Sequence, residues 1–476
     1  MILTERLKDE SGYNWVQSQL SALTPFGRAL ARVPRWYAPD DRAELELELS
    51  NLDRALGLMY GGNAALASLN VGFQAFRDPR GSLKRPDDAP MDEVELFEIK
   101  YFLLSLNNLL ERYSVLDPFE GIQFTPQDDL LDLLDPSGRR LPAFSVEDSY
   151  SPELAAVRAA KAELEDQLRE LTGEAREELL LKRRGLALKE DELELGVRRT
   201  LTARVLAQKE TLMANMSAVG RLDFLMAKAR LARRFGCVRP VINTEKTIHG
   251  EEMTHPEVTA ALAEHDRLFT PISLDLIPGT TAVTGANMGG KSVSLKTVTL
   301  NLLLLQTGFF VFAKTFTAPL FHTVTLQLAD NQSVDRGLSS FGAEVTVINE
   351  LIQSNKDQFF FLALDEFARG TNPREGAALA RALAEYLCSL DCICLMTTHY
   401  DGVSEAAAAH YQVAGLRDLT QEELIPGESP LNRLARMMDY HLIPAPAGAA
   451  CPRDALRVCQ LLNLEPELLE IFSQNS

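Results

Sequence analysis

Thr280-Thr281-Ala282-Val283-Thr284-Gly285-Ala286-Asn287-Met288-Gly289-Gly290-Lys291-Ser292 is the stretch that decides the fold. A short apolar run ends in Gly-x-x-x-x-Gly-Lys-Ser, and a helix-compatible segment from Val293 to Leu305 follows. Strand, glycine-rich loop and helix in that order make a cradle for nucleotide phosphates. The glycines let backbone N–H groups turn inward around phosphate oxygens, and the helix N-terminus adds a partial positive charge of ~0.5. Gly285, Asn287, Gly289 and Gly290 line the cradle, Lys291 is expected to reach the β- and γ-phosphates, and the Ser292 hydroxyl to ligate Mg²⁺. The pattern implies ATP with Mg²⁺. A chance glycine-rich turn is the plain alternative, and the downstream sequence speaks against it.

About seventy residues further on, Phe359-Phe360-Phe361-Leu362-Ala363-Leu364-Asp365-Glu366 reads as a buried strand ending in two carboxylates. Asp365 is placed to hold Mg²⁺, and Glu366 to polarise an attacking water as general base. Asp-Glu after an apolar run is common by itself; its position after the glycine-rich loop gives it weight. Another apolar strand ends at Thr398-His399-Tyr400, where His399 could sense a γ-phosphate, although a histidine at a strand end is more often structural. Between these motifs, Leu338-Ser339-Ser340-Phe341-Gly342-Ala343-Glu344 precedes a helical stretch. Hydroxyls there are ordinary N-caps. They are also what an ATPase uses to present a helix N-terminus to the nucleotide of a neighbouring subunit, which would make hydrolysis depend on dimerisation.

The bulk properties fit this engine and leave its load open. A chain of 476 residues has room for two to four domains. The most apolar run, Leu300 to Ala313, is broken by Asn301, Gln306 and Gly308 and is shorter than the ~20 residues of a membrane helix. It reads as a buried helix followed by a strand. Cys392-Ile393-Cys394 puts two thiols on one face of a strand, as core packing rather than metal ligands, and no zinc spacing or disulfide framework stands out. That usage, with an amino terminus lacking an apolar core, leads us to expect a cytoplasmic protein without membrane association. The formal net charge of −19 counts mildly against nucleic acid, whose binding depends on Lys and Arg, but local patches decide the matter.

Four segments follow from composition. Residues 1–150 read as a helical core broken by Pro- and Gly-bearing loops. Residues 151–240 contain proline only at Pro152 and Pro240 and place Leu164, Leu168 and Leu171 at helical spacing. They predict two long antiparallel helices turning between Gly173 and Gly196, with Lys182-Arg183-Arg184 near the tip. Residues 241–430 alternate short apolar runs with helical stretches, which predicts a mostly parallel sheet flanked by helices. Residues 431–476 read as a strand, a loop and a helical pair.

Gly-Ala-Asn-Met-Gly-Gly-Lys-Ser, Leu-Asp-Glu-Phe-Ala-Arg-Gly-Thr (Leu364 to Thr371) and Thr-Thr-His-Tyr together resemble the MutS family of ABC-type ATPases. Asn287-Met288 within the loop and Arg369-Gly370-Thr371 after the acidic pair carry the resemblance. The fold it implies is an α/β P-loop NTPase domain of ABC type, preceded by an all-α core and long lever helices and followed by a terminal dimerisation element. It places Lys291 on phosphate, Ser292 and Asp365 on Mg²⁺, Glu366 as base, His399 as sensor and Ser339 as the hydroxyl acting in trans. It also offers Phe269 as a stacking partner for adenine, at a spacing to Gly285 that departs from the family pattern. The partner it implies is a second copy, or a related ATPase subunit.

Other departures bear on the load. Ala286 stands where the family usually has proline, and no stretch resembles the amino-terminal mismatch-reading domain or a nuclease-like domain after the ATPase. One expectation is a DNA clamp of mismatch-repair or recombination type, with Lys182, Arg183, Arg184, Arg230, Arg233 and Arg234 as phosphate contacts. The other is a protein-remodelling reactivase for an adenosylcobalamin (B12)-dependent aminomutase, which Lys291-Ser292-Val293-Ser294-Leu295-Lys296-Thr297 and Gly308-Phe309-Phe310-Val311-Phe312-Ala313 resemble more closely. The acidic balance favours the protein client.

Overall fold

A computed structural model describes residues 3–62, 64–84, 89–170, 172–285, 290–328, 340–418, 429–451 and 454–475. Asn287, Gly289 and Ser339 lie outside the described residues. The chain forms two compact units: residues 1–20, 34–53 and 228–476 make one, and residues 21–33 and 54–227 the other.

The first unit is mixed α/β. Its strands are β1 (Val241–Ile242), β2 (Ile248–Met253), β3 (Ile272–Leu276), β4 (Gly279–Thr284), β5 (Thr315–Ala318), β6 (Thr323–Gln327), β7 (Phe360–Asp365), β8 (Cys392–Thr397), β9 (Ala409–Leu416) and β10 (Met438–Pro444). A six-stranded sheet runs in the order β10-β9-β4-β8-β7-β6, parallel throughout except where β10 pairs antiparallel with β9. Strands β4, β7 and β8 are buried along their whole length, which is why β7 and β8 read as apolar runs up to their last residue rather than as alternating ones; β4 instead carries three threonines, of which Thr280 donates its hydroxyl to the Ala384 carbonyl at 2.9 Å. Cys392 and Cys394 sit in that core. A four-stranded sheet has the order β1-β5-β2-β3.

Register places the chemistry. Val283 of β4 pairs with Thr397 of β8, and Thr397 pairs with Asp365 of β7. The carboxyl ends of three buried strands therefore finish side by side, the usual place for a ligand in a parallel sheet. Helix Lys291–Gln306 follows β4 and is buried over nearly all its residues. Its internal amides have backbone partners: Asn301 accepts from the Phe312 N–H at 2.8 Å, and Gln306 donates to the Phe321 carbonyl at 2.7 Å.

The strand expected at the end of the Leu300–Ala313 run lies later, at β5. Gly308 ends the helix in a left-handed conformation, φ 73°, and the Phe309 N–H returns to the Leu304 carbonyl at 2.9 Å. Phe309 and Phe312 then pack edge-on against Tyr13 and Phe235, and only Val311 makes an isolated bridge, to Val238. Aromatic burial, not ladder pairing, accounts for that run.

The second unit is helical. Helix Glu93–Tyr113 begins at a capping box in which Asp92 accepts from the Glu95 N–H at 2.8 Å and Glu95 from the Asp92 N–H at 3.0 Å. Phe26, Phe76 and Phe102 form an edge-to-face cluster. The buried Asp223 carboxylate accepts from the Leu23 and Thr24 N–H groups and the Thr24 hydroxyl, at 2.7–3.1 Å. Gly27 is required there, because a Cβ would come within 2.2 Å of that carboxylate.

Helices Pro152–Glu170 and Glu174–Ala207 form an antiparallel hairpin. Arg158 reaches Asp148, Glu190 and Glu194, Lys161 pairs with Glu190, and Arg183 with Glu165. The chain reverses just before Glu174, at the amino-terminal end of the window expected from composition. Gly173 supplies the positive φ of 74° that the reversal uses. Lys182-Arg183-Arg184 consequently lies on the second helix rather than at the tip, and Lys182 pairs with Glu178. Among the described residues no helix is long and apolar enough to cross a membrane.

One buried histidine of the first unit makes the fold sensitive to acid. His255 caps helix Pro256–Ala263, taking the Val258 N–H on Nδ1, while Nε2 donates to the Ser11 carbonyl at 3.0 Å. Gly12 leaves room for the ring, since a Cβ there would stand 2.4 Å from it. Burial pushes its pKa down to about 4. The unfolded chain takes up this proton first, so stability is full above pH ~6.5 and falls as the pH drops toward 4, by roughly 3 kcal/mol from this group. Urea unfolding across that range should show the slope, and His255→Gln should flatten it; an equal slope in both proteins would remove the assignment.

Candidate active site at the carboxyl ends of the central strands

Asp365 closes β7, and the neighbouring elements orient it. The Ser292 hydroxyl donates to Oδ2 at 2.7 Å, and the Thr397 hydroxyl donates to Oδ1 at 2.6 Å. Ser292 comes from the first turn of helix Lys291–Gln306 and Thr397 from the end of β8, so three elements converge on one buried carboxylate.

Glu366 follows immediately, with φ at 47°. A left-handed non-glycine residue costs on the order of 1 kcal/mol or more and persists only where its surroundings hold it. Its N–H donates to both the carbonyl and the hydroxyl of Thr397, each at 3.1 Å. Its carboxylate lies between two cations: Lys291 Nζ stands 3.6 Å from Oε1, and Arg369 Nη1 donates to Oε2 at 3.0 Å. Lys291 is itself buried and donates to the Gly285 carbonyl at 2.7 Å. Burial pulls its pKa below the ordinary lysine value, against the upward pull of Glu366.

The glycines serve close approach. Gly285 has φ 143°, and a Cβ there would lie 2.9 Å from that of Val413. Gly290, φ 74°, stands at the N-cap of helix Lys291–Gln306, where no side chain caps the first turn. A Cβ on it would come within 3.2 Å of the Tyr440 ring. An uncapped helix start, a buried lysine and a hydroxyl–carboxylate pair fit a phosphate group with a divalent cation. Lys291 and the helix N-terminus would hold the phosphate, and Ser292 with Asp365 the cation.

His399 stands beyond β8, an exposed residue whose ring lies 4.2 Å, centroid to centroid, from that of Tyr400, which covers part of it. Partial burial of the ring lowers its pKa, Glu366 raises it, and Lys291 and Arg369 lower it further. Phe269 lies half-buried in the segment before β3, and none of the hydrogen bonds described above involves it. Thr397, Arg369, Glu344 and Tyr400 were not assigned roles from sequence. Thr397 and Arg369 belong to the quoted motifs, but only strand register and the turn after β7 reveal what they touch.

Gly285→Ala should lower stability by about 1–3 kcal/mol through backbone strain and the clash with Val413. An unchanged urea midpoint would show that the close approach is unimportant.

Residues 281–424 match the family model MutS domain V. Proteins named Endonuclease MutS2 align with parts of the chain. That of Leuconostoc citreum is 33% identical over 216 residues, covering 45% of this chain and 26% of the relative. That of Staphylococcus epidermidis is 32% identical over 237 residues, 49% of this chain and 29% of the relative. That of Acetivibrio thermocellus is 34% identical over 244 residues, 48% of this chain and 30% of the relative. The chain thus spans under a third of the length of these curated relatives. The likeness to MutS-family proteins thus extends over about half of this chain, and the family model over residues 281–424.

Proposed function

We propose that this chain is a MutS-family ATPase that couples Mg²⁺-dependent ATP hydrolysis to engagement of DNA, as a dimer of itself or with a related ATPase subunit. The observation that carries the reading is the meeting of Ser292, Thr397 and Asp365 at the start of an uncapped helix, with Lys291 and Glu366 beside them. In this reading residues 241–430 are the ATPase module, 1–150 a helical core, 151–240 the levers and 431–476 a dimerisation element, with Ser339 meeting the neighbouring subunit's nucleotide.

When bound, ATP supplies the phosphoanhydride bond and Mg²⁺ the charge that offsets the phosphoryl oxygens. The protein's own part is positioning. Glu366 as placed is shared between Lys291 and Arg369. A phosphate oxygen is a stronger partner for Lys291 than a carboxylate held at 3.6 Å, so Lys291 would exchange one for the other. That exchange leaves Oε1 of Glu366 free to accept a proton from water. Thr397 would keep the Asp365 carboxylate oriented, and Ser292 with Asp365 would hold the cation. His399 lies near enough to Glu366 to be influenced by its charge, which suits a sensor of the same site.

The relatives' printed name favours DNA over the aminomutase client expected from the loop wording, and the comparisons lend that client no support. The nucleolytic step in that name is not part of the proposal. Part of the basic triplet on the hairpin is paired with acids, Lys182 with Glu178 and Arg183 with Glu165, so DNA phosphates would compete with those partners.

Glu366→Gln should bind a fluorescent ATP analogue like the wild type and hydrolyse ATP about 100-fold more slowly or worse; near-normal turnover would refute the general-base role. Filter retention of duplex and branched DNA should be strong at low salt, fall steeply with added salt, and weaken when Lys182, Arg183 and Arg184 are reversed to Glu. Absence of retention at low salt, in a protein that still hydrolyses ATP, would sink the DNA reading and return attention to a protein client.

A further inference from the structure

The turn after β7 has two left-handed residues where glycine would be expected, Glu366 at φ 47° and Ala368 at φ 65°. Ala368 is fully buried, so both its backbone polar groups need partners inside the protein. Its N–H donates to Oε2 of Glu344 at 3.2 Å. Its carbonyl accepts from the Tyr400 hydroxyl at 3.0 Å. Gly376 makes room for that second contact, since a Cβ there would stand 2.5 Å from the Tyr400 oxygen and 2.8 Å from the Ala368 carbonyl. The turn is therefore gripped from two sides by side chains of two other elements.

We propose that Glu344 is a positioning residue for Glu366: by holding the Ala368 N–H it fixes the strained turn that aims the Glu366 carboxylate. The inference rests on the ATPase reading above and extends it. Glu344 lies in the first turns of helix Ser340–Asn355, and Ser340 follows the hydroxyl assigned to the neighbouring subunit's nucleotide. The Glu344–Ala368 hydrogen bond thus joins helix Ser340–Asn355 to the turn that carries the Glu366 carboxylate. Phe341 and Leu351 of the same helix pack against the core behind β7, which keeps the helix from sliding without disturbing that turn.

Three variants test this in the full chain. Glu344→Ala removes the acceptor, Glu344→Gln keeps an amide oxygen that can take the Ala368 N–H, and Tyr400→Phe removes the hydroxyl on the opposite side. Affinity for a fluorescent ATP analogue and single-turnover hydrolysis are measured for each across pH. We expect Glu344→Ala to lose about tenfold in hydrolysis with affinity within about twofold, Glu344→Gln to recover most of the rate, and Tyr400→Phe to lose rate with affinity kept. Wild-type hydrolysis in Glu344→Ala would overturn the proposal and leave the ATPase reading standing. So would a Gln variant as slow as the Ala variant, or a parallel loss of affinity and rate. A wild-type protein that binds nucleotide and never hydrolyses it would overturn both.

Discussion

A single carboxylate, Asp365, organises the functional end of the sheet. Its two oxygens are taken by hydroxyls from two different elements, Ser292 from the helix after β4 and Thr397 from the end of β8. Hydrogen bonds to a charged acceptor are among the stronger ones in proteins, and burial strengthens them further. With that carboxylate fixed, the backbone after it has one exit, the turn through Glu366 and Ala368, and every other group of the site is arranged around that turn.

The arrangement has a cost in strain, visible as two left-handed residues, and the surroundings that offset it are the Thr397 backbone, the Glu344 carboxylate and the Tyr400 hydroxyl. Thr397 and Tyr400 stand together at the end of β8, and Glu344 comes from helix Ser340–Asn355. Sites built this way are stiff at the reacting groups, yet any one support can report movement elsewhere, because backbone strain is released as soon as a grip loosens.

Much of this was readable from residue types and spacing. The apolar runs of β7 and β8, the glycines at Gly285 and Gly290, and the hydroxyl and carboxylates at Ser292, Asp365 and Glu366 announce themselves because each motif is contiguous. What depended on register did not. Thr397 touches Asp365 only because β7 and β8 pair as they do, and Glu344 meets Ala368 across 24 residues. Hydrophobicity alone also misplaced a strand in the Phe309–Phe312 run, where buried aromatic packing and an unpaired strand look alike in sequence. The reversal before Glu174 falls inside the window expected from composition but could not be pinned to one residue, because Gly173, Gly185 and Gly196 offer equal opportunities; of the three, only Gly173 takes a positive φ.

The ion pairs along the helical hairpin are unevenly distributed. Arg158 and Lys161 bind three glutamate and aspartate partners close to where the hairpin starts, whereas Arg183 with Glu165 is the cross-helix pair described farther along. Charge pairs exposed to water weaken as ionic strength rises. Raising the ionic strength would therefore loosen the clasp between the two helices most where these pairs are concentrated, toward the start of the hairpin.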